Sequence, residues 1–184
     1  HGIVILKHLA VVIPLSGTIL AQTLKCWDML SKKFHIKYLS SNTVCPHITI
    51  TSGDCIDEEK FKYVVHSCLP QCVPITIRAN GLGIFVKEEP VIFIRWLLSR
   101  ELFGMCRIFQ RNLMDVWTQT SESSVEELWL PKSTLALKDT SYEQLPLVLK
   151  ELKLYNFEQI MSVDKLTLLE IENKEIVVEE ISIN

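Results

Sequence analysis

Two five-residue segments follow one pattern: Pro46-His47-Ile48-Thr49-Ile50 and Pro131-Lys132-Ser133-Thr134-Leu135. Each reads proline, a nitrogen-bearing side chain, any residue, threonine, an aliphatic residue. Residues two apart on a β-strand point to the same face. His47 therefore projects with Thr49, and Lys132 with Thr134. If the two strands face each other, two hydroxyls and two nitrogen groups converge. That set suits a phosphate: hydroxyls donate to its oxygens, while the nitrogens neutralise charge or move protons. Imidazole, with an unperturbed pKa of about 6.5, can act as base or acid near neutral pH. Lysine, at about 10.4, is a cation that pairs with phosphate or donates a proton, and becomes a base only if desolvation lowers it strongly. Two readings stay open. In one, His47 is a base and Lys132 an electrostatic partner or acid. In the other, phosphate binding persists without turnover.

Taken singly, each residue has a plainer explanation. A lone His-x-Thr is common by chance. His47 would be a core histidine, Thr49 and Thr134 ordinary strand formers, and Lys132 a solvated strand-end lysine. The repetition is what points to a site, so the elements that carry it matter. Val4–Pro14 is an apolar, β-branched run, which predicts a strand covered on both faces. Leu20, Leu24, Trp27, Leu30 and Phe34 recur at helical spacing, so 18–34 is predicted as a helix. Ser40–Thr43 reads as a loop and Val44–Thr51 as a strand broken by Gly53-Asp54. Asp57 is a candidate N-cap for a helix burying Phe61, Val64, Val65 and Cys68, which Pro70 ends. Val73–Arg78 is a strand, with Gly81–Val86 extended after it.

The second half repeats this order. It gives a strand over Val91–Trp96, a helix over Ser99–Trp117, a polar loop over Thr118–Ser124 and a strand over Leu130–Leu137. A helix starts at Thr140 or Ser141, with Glu143 placed for a capping box to Thr140, or at Pro146. Ile160–Ile171 and Glu175–Ile183 are strands joined at Asn173. Each element recurs a little less than half a chain later, which points to a two-lobed, pseudo-symmetric α+β fold.

At this point the chain resembles the 2H phosphoesterases, the superfamily of 2′-5′ RNA ligases and cyclic phosphodiesterases. That family is named for two His-x-Thr/Ser motifs, one per lobe. The resemblance covers nearly the whole chain. It includes Gly81-Leu82-Gly83-Ile84-Phe85 between the lobes and the closing stretch Ser162-Val163-Asp164-Lys165-Leu166. It implies one bilobal domain over 1–184, with lobe one at about 3–86 and lobe two at about 90–184. Each lobe would be an antiparallel sheet with helices on its outer face, around a central cleft. The implied ligand is a nucleotide or RNA end carrying a 2′,3′-cyclic or 2′-5′ phosphate, handled without metal or cofactor. One histidine of the family protonates the leaving ribose oxygen, the other activates water or a hydroxyl, and two threonines hold the phosphate. His47 matches the first motif, Thr49 its hydroxyl and Thr134 the second hydroxyl. Lys132 departs from the pattern, standing where the second histidine belongs.

Composition narrows the partners. Hydrophobic residues make up 48% of the 184, enough for a sizeable core. The formal charge of −3 argues against a protein that coats DNA or RNA, so any nucleic acid is gripped at an end or a single phosphate. DNA is not an expected partner. Cys26, Cys68 and Cys106 fit apolar helix faces, and no cysteine pair has zinc-ribbon spacing, so no metal site is assigned. The apolar run Ile3–Leu15 is too short to span a bilayer and is interrupted by Lys7 and His8. A cytoplasmic monomer is the expectation. His8, His35 and His66 have no matching partners and receive no role. Trp96, Trp129 and Phe85 could stack on a base, though large aromatics are more often core. The acidic end, Glu170–Glu180, alternates with apolar residues and reads as a solvated sheet face.

Overall fold

The computed structural model describes residues 2–120 and 126–184. The first half runs β1 (Lys7–Pro14), α1 (Gly17–Phe34), α2 (Tyr38–Asn42), β2 (His47–Cys55), α3 (Glu58–Cys68) and β3 (Ile75–Phe85). The second runs β4 (Val91–Trp96), α4 (Arg100–Asn112), β5 (Gln119–Thr120), β6 (Lys132–Ala136), α5 (Leu145–Leu152), β7 (Ile160–Val163), β8 (Lys165–Ile171) and β9 (Glu175–Ser182). Among the described residues the strands form two antiparallel sheets, ordered β5-β2-β1-β8-β9 and β6-β4-β3-β7. This is the two-lobed α+β architecture that the internal repeat predicts. No helix among the described residues is long and apolar enough to cross a membrane.

The sheets do not divide the chain where the lobes were expected, at about 86–90. β3, from the first half, pairs with β4 and β7 of the second. β8, from the second half, pairs with β1. The run 160–171, expected as one strand, splits at Asp164 into β7 and β8, one in each sheet. The Asp164 carbonyl at this crossing accepts from Ile183 N at 2.7 Å. Each half thus lends one strand or more to the other sheet, which ties the two together.

β1 is the strand buried on both faces. Leu9, Val11 and Ile13 face the main core, while Ala10 and Val12 meet Leu169 on the other side. It begins at Lys7, not Val4, because its partner β2 ends at Cys55 opposite Lys7. Among the described residues no strand lies opposite Ile3 to Leu6, and they are exposed. β2 runs past Gly53-Asp54 rather than breaking there, since Gly53 pairs with Leu9. Gly53 is needed for close approach. A Cβ there would lie 2.6 Å from the Trp117 ring and 2.9 Å from the Gln119 carbonyl. Gly53→Ala is expected to destabilise the protein by about 2 kcal/mol through overpacking, read as a lower urea midpoint at unchanged slope.

α1 buries Trp27 and Leu30 as expected, with Leu20 and Phe34 packed against the core; Ile19, Thr23, Cys26 and Met29 complete its buried face, while Leu24 is exposed. His35 ends this helix in the left-handed region at φ 59°, its N–H bonded to Ser31 O at 3.1 Å. Asp57 caps α3 as expected, accepting from Lys60 N at 3.0 Å. α4 buries the stripe Leu102, Met105, Cys106, Phe109 and Leu113. The expected loop at 40–43 is largely helical instead. Asp139 Oδ2, distant in sequence, accepts from both Lys37 N and Tyr38 N at 2.8 Å and satisfies the start of α2. At the last helix the reciprocal bonds join Ser141 and Gln144, one position beyond the expected Thr140–Glu143 pair. Of the polar loop 118–124, residues 119–120 form β5, and 121–125 lie outside the described residues.

Candidate functional site

The two proline-led segments occupy equivalent places. The Pro46 carbonyl accepts from Leu15 N, just after β1, at 2.9 Å. The Pro131 carbonyl accepts from Trp96 N, at the end of β4, at 3.1 Å. Each bond fixes the entry of a motif strand against the first strand of its own half. Along β2 the burial alternates, with Ile48 and Ile50 inward and His47 and Thr49 on the opposite face. β6 repeats this, with Ser133 and Leu135 inward and Lys132 and Thr134 opposite. His47, Thr49, Lys132 and Thr134 all line one cavity of about 150 Å³ between the sheets. The expected four side chains are therefore brought together. Two indole N–H groups hold the walls: Trp27 Nε1 donates to Thr134 O at 3.3 Å, and Trp129 Nε1 to Thr49 O at 3.0 Å.

His47 has 13% of its side chain exposed. Its Nδ1 lies 2.8 Å from the Cys45 carbonyl, which can only accept. The proton of the neutral ring therefore sits on Nδ1 and leaves a lone pair on Nε2. Burial pushes the imidazole down to about 4; the Cys45 bond opposes this, and the charge of Lys132 adds to it. Around neutral pH His47 is an uncharged base. Burial also lowers Lys132 from the ordinary lysine value, helped by Lys87. A lowered ammonium gives up its proton more readily than a surface lysine does.

Glu175 joins the site without a signal in the local pattern. The alternation of 170–180 places it on a solvated acidic face, yet its side chain is only 13% exposed and lines the cavity. One carboxyl oxygen, Oε2, accepts from Val44 N at 3.1 Å. The other, Oε1, lies 3.7 Å from His47 Nε2. Burial raises the carboxyl to about 7, against the Val44 bond. A β-bulge in β9 explains the difference. Val177 pairs with Leu169 and Glu179 with Leu168, so Val178 is extra and the faces swap. Glu175 thus turns to the cleft, while Glu179 turns to the helices and meets His66 Nε2 at 2.8 Å. His8 is likewise paired, 2.9 Å from Asp54 Oδ1. Alternation alone cannot reveal such a swap.

A larger cavity of about 560 Å³ adjoins the first and shares Thr49 and Lys132 with it. Phe85, Lys87, Trp129 and Leu130 are among its walls. Phe85 and Trp129 therefore border the cleft. Trp96 does not: it is buried, and its Nε1 donates to Ser133 Oγ at 2.9 Å. The six cysteines are free thiols, and Cys26, Cys68 and Cys106 are buried. Among the described residues no group of three or more His, Cys, Asp or Glu side chains is placed to hold a metal ion.

No protein-family model matches the sequence, and no curated protein matches it. Solved structures do match its shape. E. coli LigT, solved with 3′-AMP, has a TM-score of 0.65 at 12% identity, covering 98% of this chain and 99% of LigT. TT0787 of Thermus thermophilus has a TM-score of 0.66 at 14% identity, covering 96% of this chain and 97% of its own. A protein described as a phosphoesterase has a TM-score of 0.62 at 12% identity, covering 97% and 98%. The chain shares the two-lobed fold of these proteins along nearly its whole length.

Proposed function

We propose that this protein acts on the phosphodiester of a nucleotide or RNA end, as a 2′,3′-cyclic phosphodiesterase or 2′-5′ RNA ligase-like enzyme that needs no metal. One observation carries the reading: His47, Thr49, Lys132 and Thr134, from the two repeats, share a single phosphate-sized cavity. The fold shared with LigT, a protein solved with 3′-AMP and with phosphate, supports it. In hydrolysis of a 2′,3′-cyclic phosphate, Thr49 and Thr134 hold the non-bridging oxygens. His47 Nε2 takes a proton from water as the water oxygen bonds to phosphorus. Lys132 returns a proton to the ribose oxygen that leaves. Ligation follows the same proton traffic, with a hydroxyl in place of water. Phe85 and Trp129, beside the cavity, offer faces to a base.

The missing second imidazole favours an alternative, a binding module that holds the phosphate without turnover. Hydrolysis of nucleoside 2′,3′-cyclic monophosphates by wild type, His47→Ala and Lys132→His separates the two. Turnover in wild type that His47→Ala removes supports the enzyme. Binding without turnover in wild type, with turnover gained in Lys132→His, supports the module. If none of the three binds a phosphate ester, both readings are wrong.

A further inference from the structure

The second repeat supplies a cation where the first supplies an imidazole. Glu175 lies in the same cavity. Its Oε2 is tied to Val44 N, which leaves Oε1 as the oxygen facing His47 Nε2, at 3.7 Å. The two atoms are near enough for one ligand oxygen to contact both. If the carboxyl were ionised, two anions would share a cavity of about 150 Å³ with one ammonium. Like charges at such separations in a partly desolvated site cost several kT. Adding a proton to the carboxyl removes the repulsion and creates a donor aimed at the ligand.

We infer that Glu175 carries the second proton of the site: it serves as a neutral carboxylic acid that donates from Oε1 to a phosphoryl oxygen, so a phosphate ester binds together with one proton from solvent. This rests on the reading of the cavity as a phosphate site, and deepens it. Among the described residues, the charged and titratable groups around Glu175 are His47 and Cys45, from β2 and the segment before it, Lys132 from β6, and Glu180 from its own strand, which acts on the same Cys45. Burial raises the carboxyl to about 7, so near neutral pH adding its proton costs little.

Titration calorimetry on the whole chain tests this. The probe is the methyl ester of 2′-deoxyadenosine 3′-phosphate. It keeps one negative charge from pH 6 to pH 8 and has no 2′ hydroxyl to react. Wild type is expected to bind it about tenfold more weakly at pH 8 than at pH 6. Buffers of differing ionisation enthalpy should then report uptake of close to one proton at pH 8. Glu175→Gln, which keeps the Val44 bond, is expected to lose both the dependence and the uptake. His47→Gln is expected to keep both. A dependence that persists in Glu175→Gln belongs to Lys132 or His47 and overturns the inference. So does its loss in His47→Gln. Failure of all three proteins to bind the probe at pH 6 overturns the phosphate-site reading itself.

Discussion

His47→Ala is expected to lower kcat for a nucleoside 2′,3′-cyclic phosphate by about 10²–10⁴-fold, the usual cost of removing one proton-transfer group. The KM should change much less, because Thr49, Thr134 and Lys132 still hold the phosphate. The structural ground is the ring's fixed tautomer. Nδ1 is committed to Cys45 O, so Nε2 is the nitrogen that faces the cavity. The same arrangement sets the pH profile of wild type. His47, pushed down to about 4, stays a base well into acid. Glu175, pushed up to about 7, loses its proton just above neutrality. The rate kcat/KM should therefore form an acid-shifted plateau between those limits. Equal activity in His47→Ala would remove His47 from the mechanism. A profile that rises steadily from pH 7 to pH 9 would show that Lys132 is the base instead.

Glu175→Gln is expected to become more stable relative to wild type as pH rises, by up to about 3 kcal/mol between pH 4.5 and pH 8. The sign comes from proton counts. In the unfolded chain Glu175 releases its proton near 4.5, and in the folded protein near 7. Between those values the folded state binds more protons, so wild-type stability from this group falls as pH rises and is lost above about 7. Glutamine has no such slope. His47 works in the opposite sense: its folded value near 4 lies below its unfolded 6.5, so its contribution is present above 6.5 and is lost as pH falls through 4. Between about 4.5 and 6.5 the two slopes cancel, and in wild type this pair leaves stability flat there. Denaturation of both proteins across pH 4.5 to 8 measures the difference. A constant difference would mean that Glu175 is solvated as an ordinary surface carboxylate.

Much of this was legible in the chain. α3 follows from its apolar spacing and from Asp57 as its cap, because those signals act within a few residues. The pairing of His47 with Thr49, and of Lys132 with Thr134, needs only the two-residue period of a strand. The strand limits were less legible. Val4 to Leu6 are as β-prone as the residues of β1 itself, yet among the described residues no strand pairs with them. Ser40 to Asn42 look like a loop until Asp139 satisfies their helix. Gly53 resembles a breaker, although it is a strand residue that makes room for Trp117.

The sequence by itself determined which side chains could hold a phosphate and that they come in two matched pairs, since both facts rest on residue type and local period. The tertiary structure decided that the pairs meet. That outcome needs β3 and β8 to cross between sheets, and no local pattern encodes a partner strand far along the chain. It also decided the protonation chemistry. His47 and Glu175 owe their shifted values to burial in a shared cavity, and Glu175 enters that cavity because one bulge reverses the faces of β9. Desolvation depends on everything that surrounds a group, so it is a property of the assembled fold rather than of the residue's place in the sequence.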